Sequence, residues 1–490
     1  MDTCAPARAP QQRAQYCTAG DAEAVAEGAA TAEELDHYAG HGAPAGDVKS
    51  GPLWRRVLWE GGTPVDGFLT AASAQVGQVI LNLPNSMSKL SLAGGIAVQL
   101  GCAACAVYTL FLLVALYHEY KREEVRKGTW YNDGGKRRSR VTQYHTVITA
   151  TTGSRALGEF ARVVNIVELI GLAVAQIIAS ASNFYSLGTG LDKRSFTLIF
   201  GAVAMLMILV PSFRNMRAFT FLALAGTTYT AWFLIVSSLA HGLDASAAAL
   251  PPPGAEAFFQ GFSNIVFTFG GHCMLMELVD SQFRPSKFSS TFSSALAYVT
   301  LTLTLPSASL TFLAFPGEAA ARGNAFAIFP ASPAKSVGIV LMVCHQLVAF
   351  GLFILPVCTM WEKLVGTHYK SLAWRLPSRI PVGLFVLFLA LLVPFFGVIN
   401  DLLGAFAVTF ETYIIPCVAW SLYFRTKERR AAAVIQPSRF IGGWTGAFVL
   451  NALVVLVMLV AGLGMGGYSS VIALIDAVSS FGVFSRCYNC

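Results

Sequence analysis

The sequence predicts an all-α polytopic membrane protein of about eleven transmembrane helices, built as two five-helix repeats of opposite orientation whose first helices are both broken. Three observations carry this. The chain has 490 residues, 55% of them hydrophobic and only 12% charged, with a mean hydropathy of +0.58, too apolar for an ordinary soluble globule. Two apolar stretches five spans apart, LNLPNSMSKL and GFSNIVFTFGGHCMLMELVD, carry helix breakers near their centres. Basic residues fall on one side: with the N-terminus in the cytoplasm, twenty-one Lys and Arg lie in inner loops and five outside.

The same composition excludes other classes. A net charge of +7, held in short loops, is topology information and not a nucleic-acid surface, so no nucleic-acid partner is expected. There is no nucleotide-binding Gly-rich loop, nucleophile motif or metal cluster, so the chain does not read as an enzyme, and no cofactor is expected. Cys102, Cys105, Cys273, Cys344, Cys358 and Cys417 lie in apolar segments, where Cys behaves as a small hydrophobe. Cys102/Cys105 and Cys487/Cys490 match C-x-x-C without a second pair nearby, which gives zinc little support; the terminal pair, placed outside, suits a disulfide or nothing.

Residues 1–66, rich in Ala, Gly, Pro, Glu and Asp, read as a disordered cytoplasmic tail with no signal peptide. The first repeat takes residues 67–241 and includes a basic loop at 119–158. Span one runs from about Gly67 to Leu92, and its break is expected at Pro84, which removes a backbone donor; Asn82, Asn85, Ser86 and Ser88 are on hand for the freed groups. Span two is about Gly94 to His118. Span three, about Glu159 to Tyr185, carries Asn165, Glu168, Gln176 and Asn183 on one helical face, a stripe that belongs in the bundle interior. Spans four and five are about Ser195 to Val210 and Phe219 to His241.

The second repeat takes residues 256–424. Span six, about Gly261 to Asp280, places Gly270, Gly271 and His272 at mid-depth. Paired glycines there lower helix stability by roughly 1 kcal/mol each, which reads either as unwound backbone lining a cavity or as close helix packing. Spans seven and eight are about Ser290 to Phe315 and Lys335 to Trp361, the latter with His345 and Gln346. His272 and His345 are the two histidines placed inside apolar spans, hence the first candidates for proton handling. Spans nine and ten are about Ile380 to Ile399 and Leu402 to Phe424, with Glu411 and Tyr413 in the latter; Glu168 and Glu411 are the intramembrane acids this reading nominates. Residues 443–490 supply span eleven, about Gly443 to Gly467, and an extracellular tail whose stretch Val471 to Phe484 is too short to cross comfortably. Substrate is expected at mid-membrane between the two breaks, where a half-helix N-terminus suits an organic anion.

The runs FSNIVFTFGGHCMLMEL, LTLTLPSASLTFLAF, LVPFFGVIN, YIIP, SRFIGGWTGAFVLNA and FGVFSRCYNC, with ASNFYSLGTGLDKRSFTLIFGA and PSFRNMRAFTFLALAGTTYTAWFL, closely resemble the AUX/LAX auxin influx carriers of the amino acid/auxin permease family, from about Val76 to Cys490. The resemblance implies a LeuT-like fold, a plasma-membrane location, a role in auxin signalling, and uptake of indole-3-acetate or a related small organic anion driven by protons, with membrane lipid as the only other partner. It also implies that His272 touches the substrate carboxylate. The substrate-site candidates are then His272, Gly271, Gly270, Asn85, Ser86, Gln176, His345, Gln346 and Tyr413, and the proton-coupling candidates His272, His345 and Glu411. Two departures bear on substrate. The carriers typically read LPYSFSQLG where this chain reads LPNSMSKLS, so Asn85 replaces an aromatic, which weakens the case for an indole ring, and Lys89 replaces Gln. Glu411 stands where the carriers usually have an uncharged residue: it is a second proton acceptor, or it snorkels or pairs with Lys89. A proton-coupled permease for amino acids or another aromatic acid is the alternative, and a non-transporting sensor on a transporter scaffold is the alternative from another class.

Overall fold

The computed structural model describes residues 61–486 other than 128, 130–140 and 189, together with Leu35. The expected disordered tail, the loop segment holding Lys136 to Arg140 and the Cys487/Cys490 pair lie outside the described residues. All regular structure among the described residues is helical. Nine helices there are long and apolar enough to cross a bilayer unaided. Two more crossings are pieced together, Pro64–Val76 with Val79–Leu90 as span one, and Lys193–Ala204 continued by a 3-10 turn at Met205–Leu209 as span four.

The starts of these helices are written in the sequence. Thr63 and Asp66 form a reciprocal capping box ahead of Pro64. Ser154 caps span three (Arg155–Tyr185) through Leu157 N, and Ser332 caps span eight (Pro333–Leu364) through Lys335 N, with Pro333 in the first turn. Span two, Leu92–Arg126, outruns its expected end at His118, because Glu119–Arg122 and Glu123–Arg126 pairs at i,i+3 support further turns. His118 is therefore a third buried histidine within a helix, its Nδ1 2.8 Å from Val114 O.

Three boundaries differ from expectation. Span one breaks at Gly77–Gln78, not at Pro84, which sits inside Val79–Leu90. Pro84 there forfeits one helical hydrogen bond, whereas Gly77 adopts a backbone (φ −15°, ψ −135°) that ends the preceding helix. Span nine, Ile380–Leu392, stops before Pro394, and span ten begins at Phe396, so Asn400 and Asp401 belong to span ten. The final apolar stretch is the end of span eleven, which continues as one helical rod of 39 residues, Gly443–Phe481, through a π-helical stretch at Met458–Gly466.

Span one packs against spans six and seven, while span eight packs chiefly on spans three and five and span three on spans four and nine. Span ten closes on spans six and three, partly as a π-helix at Leu403–Ile414. A buried ion cluster holds the span-eight side together. Glu362 takes Arg375 at 2.9 Å, Arg379 at 2.6 Å and His368 at 2.9 Å, and Arg379 Nη1 also donates to Ile208 O and Val210 O, each at 2.8 Å. Where span ten meets span six, a Cβ on Gly404 would stand 2.1 Å from Ser263 O, so the helices touch through backbone. Gly404→Leu is expected to cost about 1–3 kcal/mol by overpacking and to lower the thermal transition of the purified protein. Gly101→Ala, which meets open space, leaves the transition where it is.

Candidate functional site

The two breaks face each other and exchange hydrogen bonds. In span six the helix Ala255–Thr268 gives way at Phe269–Gly271, and a 3-10 turn at His272–Met274 leads into Leu275–Ser281. Thr268 O, freed by the break, and Gly271 N, which also donates to Phe269 O at 2.9 Å, both meet the Gln75 amide of span one, at 3.2 Å each with the amide oriented to satisfy them. A Cβ on Gly271 would lie 1.8 Å from that amide, and one on Gly270 2.7 Å from Val408 Cγ2. Here glycine is required by close approach. The other break is tied outward, Gln78 Nε2 donating to Asn400 Oδ1 of span ten at 3.1 Å. Neither Gln75, Gln78 nor Asn400 was legible as a site residue, although two glutamines flanking a lone glycine in SAQVGQ was a usable signal.

Between the breaks lies a cavity of about 20 Å³ lined by spans one, three, six and eight, with Gln75, Gln78, Gln176, Phe267, Gly270 and Phe353 on its wall. That is room for about one water molecule and not for an organic substrate. The described residues lining the cavity carry no charge. The N-terminal end of Val79–Leu90 opens on it through Gln78 and Val79 and supplies partial positive charge.

Both predicted histidines are wholly buried, and each is held in one tautomer by a backbone carbonyl. His345 Nδ1 lies 3.2 Å from Ala223 O, so Nδ1 carries the hydrogen and Nε2 is left with a bare lone pair. That Nε2 faces the span-one break, 3.0 Å from where a Gly77 Cβ would be, with Gln176 Oε1 3.9 Å from the same point. His272 Nε2 lies 3.1 Å from Ala106 O and 3.2 Å from Thr109 Oγ1 of span two, leaving Nδ1 without a partner. Its ring packs edge-on to Phe292 of span seven, so in this conformation it points away from the cavity wall.

The remaining predicted residues divide. Gln176, Gly270 and, through Gly77, His345 meet at the cavity. Gly271 is beside it on Gln75. Asn85 is at the outer cover: its Nδ2 donates to Ala319 O at 2.8 Å and Ala320 O at 3.1 Å, in the short helix after span seven. The aromatic expected at position 85 is thus replaced away from the cavity, whose own aromatics are Phe267 and Phe353. Ser86 and Gln346 are buried with unpartnered polar atoms, and Tyr413 reaches Cys102 O at 3.4 Å; none of the three lines the cavity. Glu411 accepts from Asn165 at 2.6 Å, and the acid that acts electrostatically on Lys89 is Asp401. The nomination of two intramembrane acids was too short, since Glu277, Asp280 and Asp401 are buried as well.

Latches stand at both ends of the path. On the side opposite the basic loops, besides Asn85, Asn324 donates to Asn183 of span three at 2.7 Å. On the basic-loop side Asp66 binds Arg217, Gly61 N donates to Arg214 O at 2.8 Å and Phe283 N to Gly62 O at 2.8 Å. Beyond this latch lies a vestibule of about 480 Å³ lined by Arg214, Lys370 and Arg375 together with Glu277 and Asp280.

Comparison with known proteins bears on this geometry. The family model described as transmembrane amino acid transporter protein matches residues 60–461. Auxin transporter-like protein 3 of Oryza sativa subsp. japonica is 40% identical over 89% of this chain and 78% of its own length. Auxin transporter-like protein 2 of Arabidopsis thaliana is 39% identical, covering 89% and 88%, and auxin transporter protein 1 of the same plant 37%, covering 91% and 90%. Among solved structures, the crystal structure of MhsT in complex with L-phenylalanine superposes with a TM-score of 0.61 at 10% identity, over 83% of this chain and 100% of that one. The likeness to that LeuT-fold transporter establishes the fold.

Gln75→Leu leaves the buried Thr268 O without its side-chain donor, at about 1–3 kcal/mol, and takes from Gly271 N the second of its two acceptors. The expected outcome is a lower thermal transition of the purified protein, with Gln75→Glu intermediate because its carboxylate still accepts from Gly271 N.

Proposed function

The chain belongs to the transmembrane amino acid transporter family, among its AUX/LAX auxin influx carriers, and from that membership we propose that it carries the indole-3-acetate anion across the plasma membrane into the cell together with protons, by alternating access. The observation that carries the anion reading is the uncharged cavity wall between the two breaks, with a helix N-terminus opening on it. A zwitterionic amino acid brings an ammonium group that meets no carboxylate on this wall, whereas a lone carboxylate has no such need. Phe267 and Phe353 offer faces against which an indole packs.

Moving one anion inward against an inside-negative potential costs about 2.3 kcal/mol per 100 mV. Protons in excess of the anion's charge reverse that penalty, and their carriers must be titratable groups in the path. His345 Nε2 and His272 Nδ1 are bare basic nitrogens, one facing the first break and the other on the first residue after the second. Protonated, each attracts the substrate carboxylate. As the outer cover lifts, substrate and protons enter from the acidic side. Release of the Asp66–Arg217 latch then lets them leave through the vestibule, where Arg214, Lys370 and Arg375 draw an anion on.

Labelled indole-3-acetate, offered to cells expressing the chain at acidic and neutral outside pH, is expected to enter saturably, faster at acidic pH, and to be blocked by a protonophore while unlabelled aromatic amino acids do not compete. Competition by amino acids, or no uptake, overturns the reading. His345→Ala and His272→Ala are each expected to lower acid-stimulated uptake by about tenfold or more, the loss of roughly 1.4 kcal/mol of stabilisation. Binding without uptake in vesicles would instead mark a sensor.

A further inference from the structure

Behind the span-six break lies a polar cluster that the transport reading leaves unused as a unit. Glu168 of span three and Glu411 of span ten are both wholly buried and act on each other electrostatically. Asn165, one helical turn before Glu168, bridges the cluster to the break: its Nδ2 donates to Glu411 Oε1 at 2.6 Å and to Cys273 O at 2.7 Å, Cys273 being the residue after His272. That spends the amide's donors. Glu411 Oε2, both oxygens of Glu168 and Asn165 Oδ1 remain, four buried acceptors with no nitrogen or hydroxyl donor; only the Cys273 thiol, a weak donor, is turned to Glu168.

The neighbours supply no balancing charge. On span six the facing groups are Cys273 and, further along, Glu277; on span ten, Tyr413 and Cys417; on span two, Cys102 and Cys105. Tyr144 of the helix Tyr144–Thr152 spends its hydroxyl on Glu411 O at 2.8 Å. Span eleven brings Gly462 against Thr409 of the same π-helical stretch. Spans eight and nine, on the far side of span three, place no charged group on Glu168. The charged groups that act on Glu411 are Glu168 and Glu277, both acidic. Among the described residues, no lysine or arginine forms an ion pair with either carboxylate, and no group of three or more His, Cys, Asp or Glu is placed to hold a metal ion.

Two like charges out of water with no counter-ion cannot both stay ionised. A hydroxyl on one carboxyl, aimed at the other or at Asn165 Oδ1, supplies the missing donor. We propose that Glu168 and Glu411 share a proton-binding site whose proton is carried in addition to the one that neutralises the substrate anion. The step is one carboxylate plus one proton giving one carboxylic acid, reversed on release. Losing the proton to the basic-loop side leaves two facing anions on spans three and ten, and Asn165 transmits their separation to Cys273 and the span-six break. This rests on the transport reading: the proton on the pair adds one positive charge per cycle to whatever the histidines carry inward with the anion.

The test has two arms. In the first, infrared difference spectra of the purified chain are taken against pH, which needs no transport. A protonated-carboxyl band that titrates in the wild type and disappears in E168Q/E411Q is the expected result, with E168Q and E411Q each shifting it. No titrating band, or one that responds to sodium and not to pH, overturns the proposal even if indole-3-acetate is carried. The second arm measures charge moved per labelled indole-3-acetate molecule in voltage-clamped cells. The ratio, which does not depend on expression level, is expected to fall by one elementary charge in E168Q/E411Q. An unchanged ratio overturns the coupling. If the chain carries no indole-3-acetate at all, the transport reading fails by itself and the infrared arm still decides whether the pair binds a proton.

Discussion

A backbone amide or carbonyl left unpaired in hydrocarbon costs several kcal/mol, and this chain interrupts two helices at mid-membrane. The rest of the structure is arranged around that debt. Gln75 takes up the carbonyl freed at the span-six break and adds a second acceptor for Gly271 N, and Gln78 reaches across to Asn400 so that the span-one break is anchored to span ten. Each break is thereby completed by the other repeat. Neither half is a finished structure by itself, which couples the two repeats more tightly than apolar packing would, since lipid offers apolar side chains an equally good environment.

The polar locks are unevenly distributed. Around Glu362 they join spans four, eight and nine through a buried arginine and several carbonyls, a set of bonds that resists separation. At the two ends of the transport path the locks among the described residues are few: the Asp66–Arg217 ion pair, two backbone bonds and the Arg214 Nε–Ser281 O bond on the basic-loop side, three side-chain amide bonds on the other. The elements that must part are held by a half-buried ion pair and a few single hydrogen bonds, a smaller set than the buried network around Glu362. The closed cavity is the consequence, since both sets are made at once.

Much of this was legible. The period of 3.6 placed Asn165, Glu168, Gln176 and Asn183 on one face, and all four are buried. Gly270-Gly271-His272 marked the span-six break to within a residue. Pro84 misled because proline's missing donor is a local property, whereas Gly77 breaks its helix for a tertiary reason, the His345 ring standing where a side chain would go. Span nine was read past Pro394 because the apolar run around it looked continuous, and Asn400 and Asp401 were lost to the site as a result. Which acid serves Lys89, and which glutamine serves the other break, depends on the approach of distant helices, and no spacing in one sequence encodes that.

Span eleven stands apart from the core, with Val449, Leu456 and Val460 among its outward residues, each more than half exposed. Its 39 residues make a rod of about 58 Å at 1.5 Å per residue, nearly twice the roughly 30 Å thickness of a bilayer's hydrocarbon interior. The mismatch is relieved by tilting, by protruding into the headgroup region, or by drawing the nearby lipid thicker. Its π-helical stretch and glycines lie against Thr409 of span ten and Ser263 of span six, the second of which carries a break. Those contacts hold the rod's inclination, so a change in the thickness of the surrounding bilayer is felt first where span eleven meets spans six and ten.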